Sequence, residues 1–337
     1  MTAPASSSRA PSRVLVVGPA WVGDMVMAQS LFAAIKEMHP GAEIDVLAPR
    51  WTLPLLRFMP EVRQAIEQPL GHGELGLAAR YRLGKTLRGQ GYDLAFVLPG
   101  SVKAALIPLW AAIRERRGYG GAFRRLLLTE ARSKPDLPQV DSYVALADWL
   151  GQPPRPRLTL PQAVSAQALE ALGLARPTAP LLAIAPGAEY GPAKRWPARH
   201  FAAVAADRRA EGWQVWLLGS AADRETAAEI PCDQNLTGLT SLDQAVALLG
   251  LADAVVSNDS GLMHVAAALD RPQVALFGPS DPGRTGPRNP AAQVLRRGLD
   301  CSPCNRRVCP LGHHRCLEDL FPESVLAALP RDEDRRR

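Results

Sequence analysis

Apolar, β-branched runs that stop at a short loop and give way to a helix-compatible stretch recur along both halves of this 337-residue chain. The first, VLVVG at residues 14–18, precedes a helical pattern over residues 24–38. Further strands are expected at residues 43–47 and 93–98, with helices near 75–89 and 102–114. A second series places strands at residues 181–185, 214–218, 254–257 and 273–277, and helices at 197–210, 222–229, 242–249 and 261–269. Strands that alternate with helices pair in parallel and are covered on both faces, and ligands of such sheets bind at the carboxyl ends of the strands. The expected fold class is therefore α/β, with two Rossmann-like β/α/β domains facing a central cleft.

The length agrees, since about 150 residues per domain gives roughly two domains. Residues 151–161 (GQPPRPRLTLP) carry four prolines, which stiffen the backbone and remove amide donors, so the linker is placed there. This gives an N-terminal domain over residues 13–160 and a C-terminal domain over residues 161–325. Residues 1–13 are Ser-, Ala- and Pro-rich, lack the apolar stretch of a secretory signal and read as a frayed tail. The charged residues 331–337 read as a second tail; Asp332-Glu333-Asp334 within it is discounted as a metal motif. The longest apolar run, residues 104–113, is interrupted by Pro108 and falls short of the roughly 18 residues of a membrane span.

Three loops carry the chemistry. Gly18-Pro19-Ala20-Trp21-Val22-Gly23-Asp24 has the glycine spacing of a phosphate loop but an aspartate in place of its lysine. A carboxylate there repels phosphate, and the G-x-G-x-x-G signature is missing, so neither an ATPase nor a dehydrogenase is supported. Asp24 at a helix start is kept ionised by the helix dipole and suited to accept a proton; an N-cap aspartate is the competing reading. The second loop, APGAEYGPAKRWP at residues 185–197, offers Gly187 for close backbone approach and Lys194 with Arg195 for a diphosphate, with Pro197 at a helix N1 position. Two solvated cations are the alternative there. The third, SNDSGLMH at residues 257–264, leaves a strand and enters a helix, so free N–H groups around Asp259, Ser260 and Gly261 make an anion site. His264, four residues after Ser260, can face that anion or hydrogen-bond in the core.

The segments GPAWVGD, PGAEYGPAKRWP, SNDSGLMHVAAALDRPQVALFGPSDP and CSPCNRRVCPLGHHRCL, in matching order from about residue 14 to residue 320, closely resemble the heptosyltransferases of glycosyltransferase family 9. The resemblance implies a GT-B fold, ADP-L-glycero-D-manno-heptose as donor, the lipopolysaccharide inner core as acceptor, and metal-independent inversion with no cofactor required. It makes Asp24 and Lys194 the catalytic residues, as general base and phosphate contact. The substrate-binding set is Gly23, Gly187, Lys194, Arg195, Asp259, Ser260, Gly261 and His264. Some relatives have Thr where this chain has Ser260. The expected reaction adds heptose to the first heptose of heptosyl-Kdo-lipid A. Transfer to Kdo-lipid A itself, a GT-B-like sugar-nucleotide epimerase, and a non-catalytic sugar-nucleotide or lipid A binding module are the alternatives.

Charge and cysteine usage add further expectations. Residues 80–134 hold twelve Lys or Arg against three Asp or Glu, a local net of +9 where the whole chain has +6. Beside the apolar residues 104–113, this suggests a peripheral contact with an anionic inner membrane, with an ordinary solvated basic face as the alternative. No RNA-binding motif accompanies the aromatic residues there, so no nucleic-acid partner is expected. Cys301, Cys304, Cys309 and Cys316, with His313 and His314, supply enough soft ligands for structural zinc, but their spacing departs from paired knuckles. Whether they hold a metal stays open; reduced thiols in a cytoplasmic protein are the favoured reading, and metal analysis of the purified protein separates the two.

Overall fold

The computed structural model describes residues 10–69 and 74–330. Residues 1–9 of the expected N-terminal tail, and the charged end 331–337 with its Asp332-Glu333-Asp334, lie outside them. The chain divides into two compact units that part between Pro154 and Arg155. The break falls inside the proline-rich stretch, and the remainder of that stretch is docked on the second unit: Arg155 pairs with Asp270, and the Leu158 N–H donates to the Ala268 carbonyl at 2.8 Å.

Among the described residues of the first unit, six strands run parallel: β1 (Arg13–Val17), β2 (Glu43–Pro49), β3 (Val62–Gln68), β4 (Leu94–Val97), β5 (Glu115–Tyr119) and β6 (Glu130–Arg132). Their order across the sheet is β3-β2-β1-β4-β5-β6. β1 and β4 sit at the centre and are almost wholly apolar and buried, because helices cover both faces of a parallel sheet. Helix Val22–Met38 comes directly after β1, and helix Leu77–Leu87 packs on helix Val102–Trp110 through Tyr81 and Trp110, whose rings meet edge to face at 5.6 Å. Gly84 permits that approach, since a Cβ on it would lie 2.6 Å from the Trp110 Cβ.

The basic segment is not one solvated face. Arg80 is 2% exposed and donates to the Leu75 and Glu74 carbonyls; Arg116 donates to the Leu127 carbonyl, and the buried Arg124 to that of Tyr119. Arg117 and Arg132 share Glu130 and Asp148, which draws Asp148 below the usual carboxylate range despite its partial burial. Five of the twelve cations thus act within the fold, and β5 and β6 are held by them.

The second unit repeats the wiring. Among its described residues are β7 (Leu181–Ala185), β8 (Gln214–Leu217), β9 (Gln234–Asn235), β10 (Ala254–Asn258), β11 (Gln273–Leu276) and β12 (Ala292–Leu295), all parallel, in the order β12-β11-β10-β7-β8-β9. Counted from its own first strand, each sheet has the order 3-2-1-4-5-6. The strand order therefore reverses between β1 and β4 in one unit and between β7 and β10 in the other. In open parallel sheets that reversal leaves a crevice at the carboxyl ends of the two central strands, where ligands bind. Helix Ala198–Ala210 covers the second sheet with Trp196, Phe201 and Trp213 in its core, and the Trp196 indole donates to the Leu320 carbonyl at 2.8 Å. Pro197 occupies the N-cap of this helix, one position before the expected N1.

Candidate active site

In the first unit, β1 is followed by Gly18, whose N–H donates to the Leu47 carbonyl, and the loop is fixed on its other side by the Trp51 indole, which donates to the Ala20 carbonyl at 2.8 Å. Helix Val22–Met38 starts directly after it. Its N-cap is Trp21, and Asp24 stands in the first turn without being the cap, so the N-cap reading of Asp24 is set aside. Gly23 is buried in the same turn. Helix Gln139–Ala145, which the sequence did not announce, packs along helix Val22–Met38 and buries Tyr143, whose phenol is held protonated well above its usual range by burial and by the neighbouring charge of Asp24.

In the second unit, the loop after β7 and the loop after β10 are joined at the central crevice by Asn258. Its Oδ1 accepts the Trp196 N–H at 3.0 Å, and its Nδ2 donates to the Pro186 carbonyl at 2.7 Å. This clamp seats Lys194 against Asp259: the ammonium donates to the carboxylate, which also accepts the Ser280 hydroxyl, and Asp259 is only 6% exposed. The Lys194 Nζ also lies 4.9 Å from the centre of the Tyr190 ring. Helix Gly261–Ala268 begins at this point with Ser260 as its N-cap, in extended backbone and without a side-chain cap bond. The Ser260 hydroxyl is buried with no partner among the described residues. An uncapped helix start, a spare hydroxyl and an ammonium within one loop cluster are the groups that suit an anion.

Lys194 and Arg195 diverge. The Arg195 guanidinium lies 3.6 Å from the Asp223 carboxylate, which in turn accepts the Ser220 N–H and hydroxyl. Gly187 is required beside it, because a Cβ there would sit 2.2 Å from an Asp223 oxygen. His264 is buried, and burial lowers its pKa to about 4, with Asp259 opposing and Lys194 reinforcing the shift. It is therefore neutral at physiological pH. An unfolded histidine takes up a proton near its ordinary 6.5, whereas the folded one does so only near 4. Between those values the unfolded chain binds more protons, so stability falls as pH drops through this window, by about 3 kcal/mol for this residue. We expect His264→Asn to flatten that part of the slope in denaturant unfolding measured from pH 7 to pH 4; an unaltered slope would contradict it.

A support that sequence reasoning missed comes from the cysteine-rich segment. The Asn305 N–H donates to the Pro279 carbonyl at 2.7 Å and the Arg307 carbonyl accepts the Ala193 N–H at 3.1 Å, while the Tyr190 hydroxyl donates to the Asn305 carbonyl at 2.8 Å. A Cβ at Gly191 would stand 2.6 Å from the Arg307 oxygen. One segment thus braces the loops that carry Lys194 and Ser280. Cys301, Cys304, Cys309 and Cys316 line a cavity of about 20 Å³ together with Ala193 and Pro279. All are free thiols, and among the described residues no three His, Cys, Asp or Glu side chains are arranged to hold a metal ion.

The profile of glycosyltransferase family 9 (heptosyltransferase) matches residues 80–315. Lipopolysaccharide heptosyltransferase 2 of Salmonella typhimurium is 45% identical, with 94% of this chain and 97% of that protein covered. Its namesake from Escherichia coli K12 is 43% identical over the same shares. The solved structure of E. coli ADP-heptose lps heptosyltransferase II superposes with a TM-score of 0.83 at 41% identity, covering 94% of this chain and 97% of that one. The chain belongs to glycosyltransferase family 9. It is accordingly an enzyme of the glycosyltransferase class, and its two six-stranded parallel sheets match the two-domain fold of the family 9 structures. E. coli heptosyltransferase WaaC with ADP shares that fold at 22% identity, with a TM-score of 0.68.

Proposed function

We propose that this family 9 enzyme transfers L-glycero-D-manno-heptose from ADP-heptose to the first heptose of the lipopolysaccharide inner core, with inversion at the anomeric carbon. The observation that carries the donor half is the uncapped start of helix Gly261–Ala268, with the Ser260 hydroxyl unpartnered and Lys194 held in place by Asp259. Two phosphates are the ligand such a cluster fits best. In the reaction, an acceptor hydroxyl attacks the anomeric carbon, its proton passes to the Asp24 carboxylate, and the bond from that carbon to the diphosphate oxygen breaks. The charge that develops on ADP is met by Lys194 and the helix amides, which were oriented before the reaction began. This scheme calls for no cofactor. The choice of the second heptose over the first rests on the 45% and 43% identity to the two heptosyltransferase 2 proteins.

The test is incubation with ADP-heptose and either heptosyl-Kdo-lipid A or Kdo-lipid A, followed by mass analysis. ADP release and mass gain only with the heptosylated acceptor are expected. Gain on Kdo-lipid A would make it the first transferase, sugar turnover without any acceptor an epimerase, and no ADP release a binding module.

Action at the cytoplasmic face of an anionic membrane is part of the proposal. No helix among the described residues is long and apolar enough to cross a bilayer. Phe123 and Leu126 are 80% and 81% exposed, next to the exposed Arg125, a combination of apolar wedges and cations that suits an interface of acyl chains and anionic headgroups. In the same assay, acceptor presented in anionic vesicles should be used faster than in neutral ones, and Phe123→Ser should remove that advantage.

A further inference from the structure

Four of the chain's five thiols, those of Cys301, Cys304, Cys309 and Cys316, line one cavity of about 20 Å³, which has room for about a single water molecule. Cys232 lies outside it. Cys301 and Cys304 are separated only by Ser302 and Pro303, the C-x-x-C spacing at which two thiols can close a disulfide. Cys301 is exposed and open to a reagent in solution, whereas Cys304 is half-buried. The residues interleaved with this pair hold a loop of the candidate site. The Ser302 hydroxyl donates to the Gly278 carbonyl at 2.5 Å, and the Asn305 N–H donates to the Pro279 carbonyl at 2.7 Å. Gly278 and Pro279 lead directly into Ser280, whose hydroxyl donates to the Asp259 carboxylate that also accepts Lys194. Both sulfurs are free in this arrangement, so the brace belongs to the dithiol form. A disulfide holds its two Cβ atoms about 3.8 Å apart, and drawing them together turns the backbone of residues 301–304 between its two anchors.

We propose that Cys301 and Cys304 are a reversible modification site, oxidised to a disulfide by a small-molecule disulfide, and that closing this bond loosens the Ser280 and Lys194 loops and weakens their grip on the donor. The second half rests on the reading of those loops as the donor site. The Cys301 thiolate attacks one sulfur of the reagent, whose S–S bond breaks as one thiolate leaves. The Cys304 thiolate then displaces the other half of the reagent from the mixed disulfide. Two protein thiols lose two electrons and two protons, and the reagent departs as two thiols. A bond that forms and is reduced again is the form disulfides take where glutathione keeps thiols reduced.

The experiment compares the full-length protein before and after incubation with glutathione disulfide, by mass analysis of tryptic fragments and by calorimetry with ADP. Residues 298–306 form one tryptic fragment that contains Cys301 and Cys304 and no other cysteine. This fragment should lose two hydrogens, ADP should bind about tenfold more weakly, the value of one or two lost hydrogen bonds, and dithiothreitol should reverse both changes. Cys301→Ser should bind ADP within about twofold of the reduced parent, before and after the oxidant, because it cannot close the ring. If Cys301→Ser does not fold, Cys304→Ser decides in its place: it should take up one glutathione on this fragment and keep its affinity. A 298–306 fragment that stays reduced, whether because zinc holds the thiols or because another pair closes, would overturn the proposal. So would an oxidised fragment with ADP affinity unchanged, or a Cys301→Ser whose affinity still falls with the oxidant. A reduced parent that binds no ADP rejects the donor reading and the loss of grip with it, whereas failure of the mass readout alone rejects the disulfide and leaves the donor reading standing.

Discussion

Asp24→Asn lowers heptosyl transfer by about 10³-fold, the scale of a lost general base, and leaves ADP binding within about twofold of the parent. The substitution preserves shape and the first turn of helix Val22–Met38, where Asp24 is not the cap. What it removes is a group able to take the acceptor proton. The favourable interaction of a carboxylate with the helix start is also lost, but at about 0.3–1 kcal/mol it is too small to unfold the unit. Calorimetry with ADP and a rate assay with saturating donor check both halves. Transfer within about tenfold of the parent would remove Asp24 from its role.

Lys194→Ala has the second large effect, and it strikes stability as well as chemistry. The Asp259 carboxylate is 6% exposed and, among the described residues, keeps only the Ser280 hydroxyl as a side-chain donor once its cation is gone. Leaving a buried charge uncompensated costs about 3–5 kcal/mol. Donor affinity should fall and the departure of ADP should slow by about 10²–10³-fold, since the ammonium meets the developing charge. Pairing Lys194→Met with Asp259→Asn separates the two consequences: the neutral pair should recover the thermal stability that Lys194→Ala loses, yet stay slow. Recovery of transfer in the double variant, or unchanged donor affinity in the single one, would show that Lys194 serves the fold only.

How far the fold and the site can be read from the residues depends on burial. The central strands β1, β4, β7 and β10 read directly from VLVV, LAFV, LLAIA and AVVSN because both of their faces are covered and nothing polar interrupts them until the site begins. The outer strands do not. β3 (VRQAIEQ) is largely exposed, and β5 and β6 are spelled ERRGY and EAR, held by Arg117 and Arg132 through Glu130 and Asp148 and not by apolar alternation. The three candidate loops, one in the first unit and two in the second, are visible from glycines and helix starts. Their partners are not, because pairing is set by the sheet order: Lys194 meets Asp259 across 65 residues, and Tyr143 comes under the charge of Asp24 through a helix whose sequence, QVDSYVA, carries no period of its own. The run of arginines is ambiguous for a related reason. A guanidinium with five donors is as well suited to tie up loop carbonyls as to face an anion, and composition does not distinguish the two uses.

The brace from residues 305–307 onto the loops of Lys194 and Ser280 has a consequence for how the protein is made. Tyr190 waits for Asn305, 115 residues downstream, before its hydroxyl finds the carbonyl it bonds. During synthesis the first unit can fold while the rest is still being translated. The loops proposed to hold the donor, by contrast, take their final form only when nearly the whole polypeptide has left the ribosome, so a prematurely terminated product would carry a finished Asp24 turn and unbraced Lys194 and Ser280 loops.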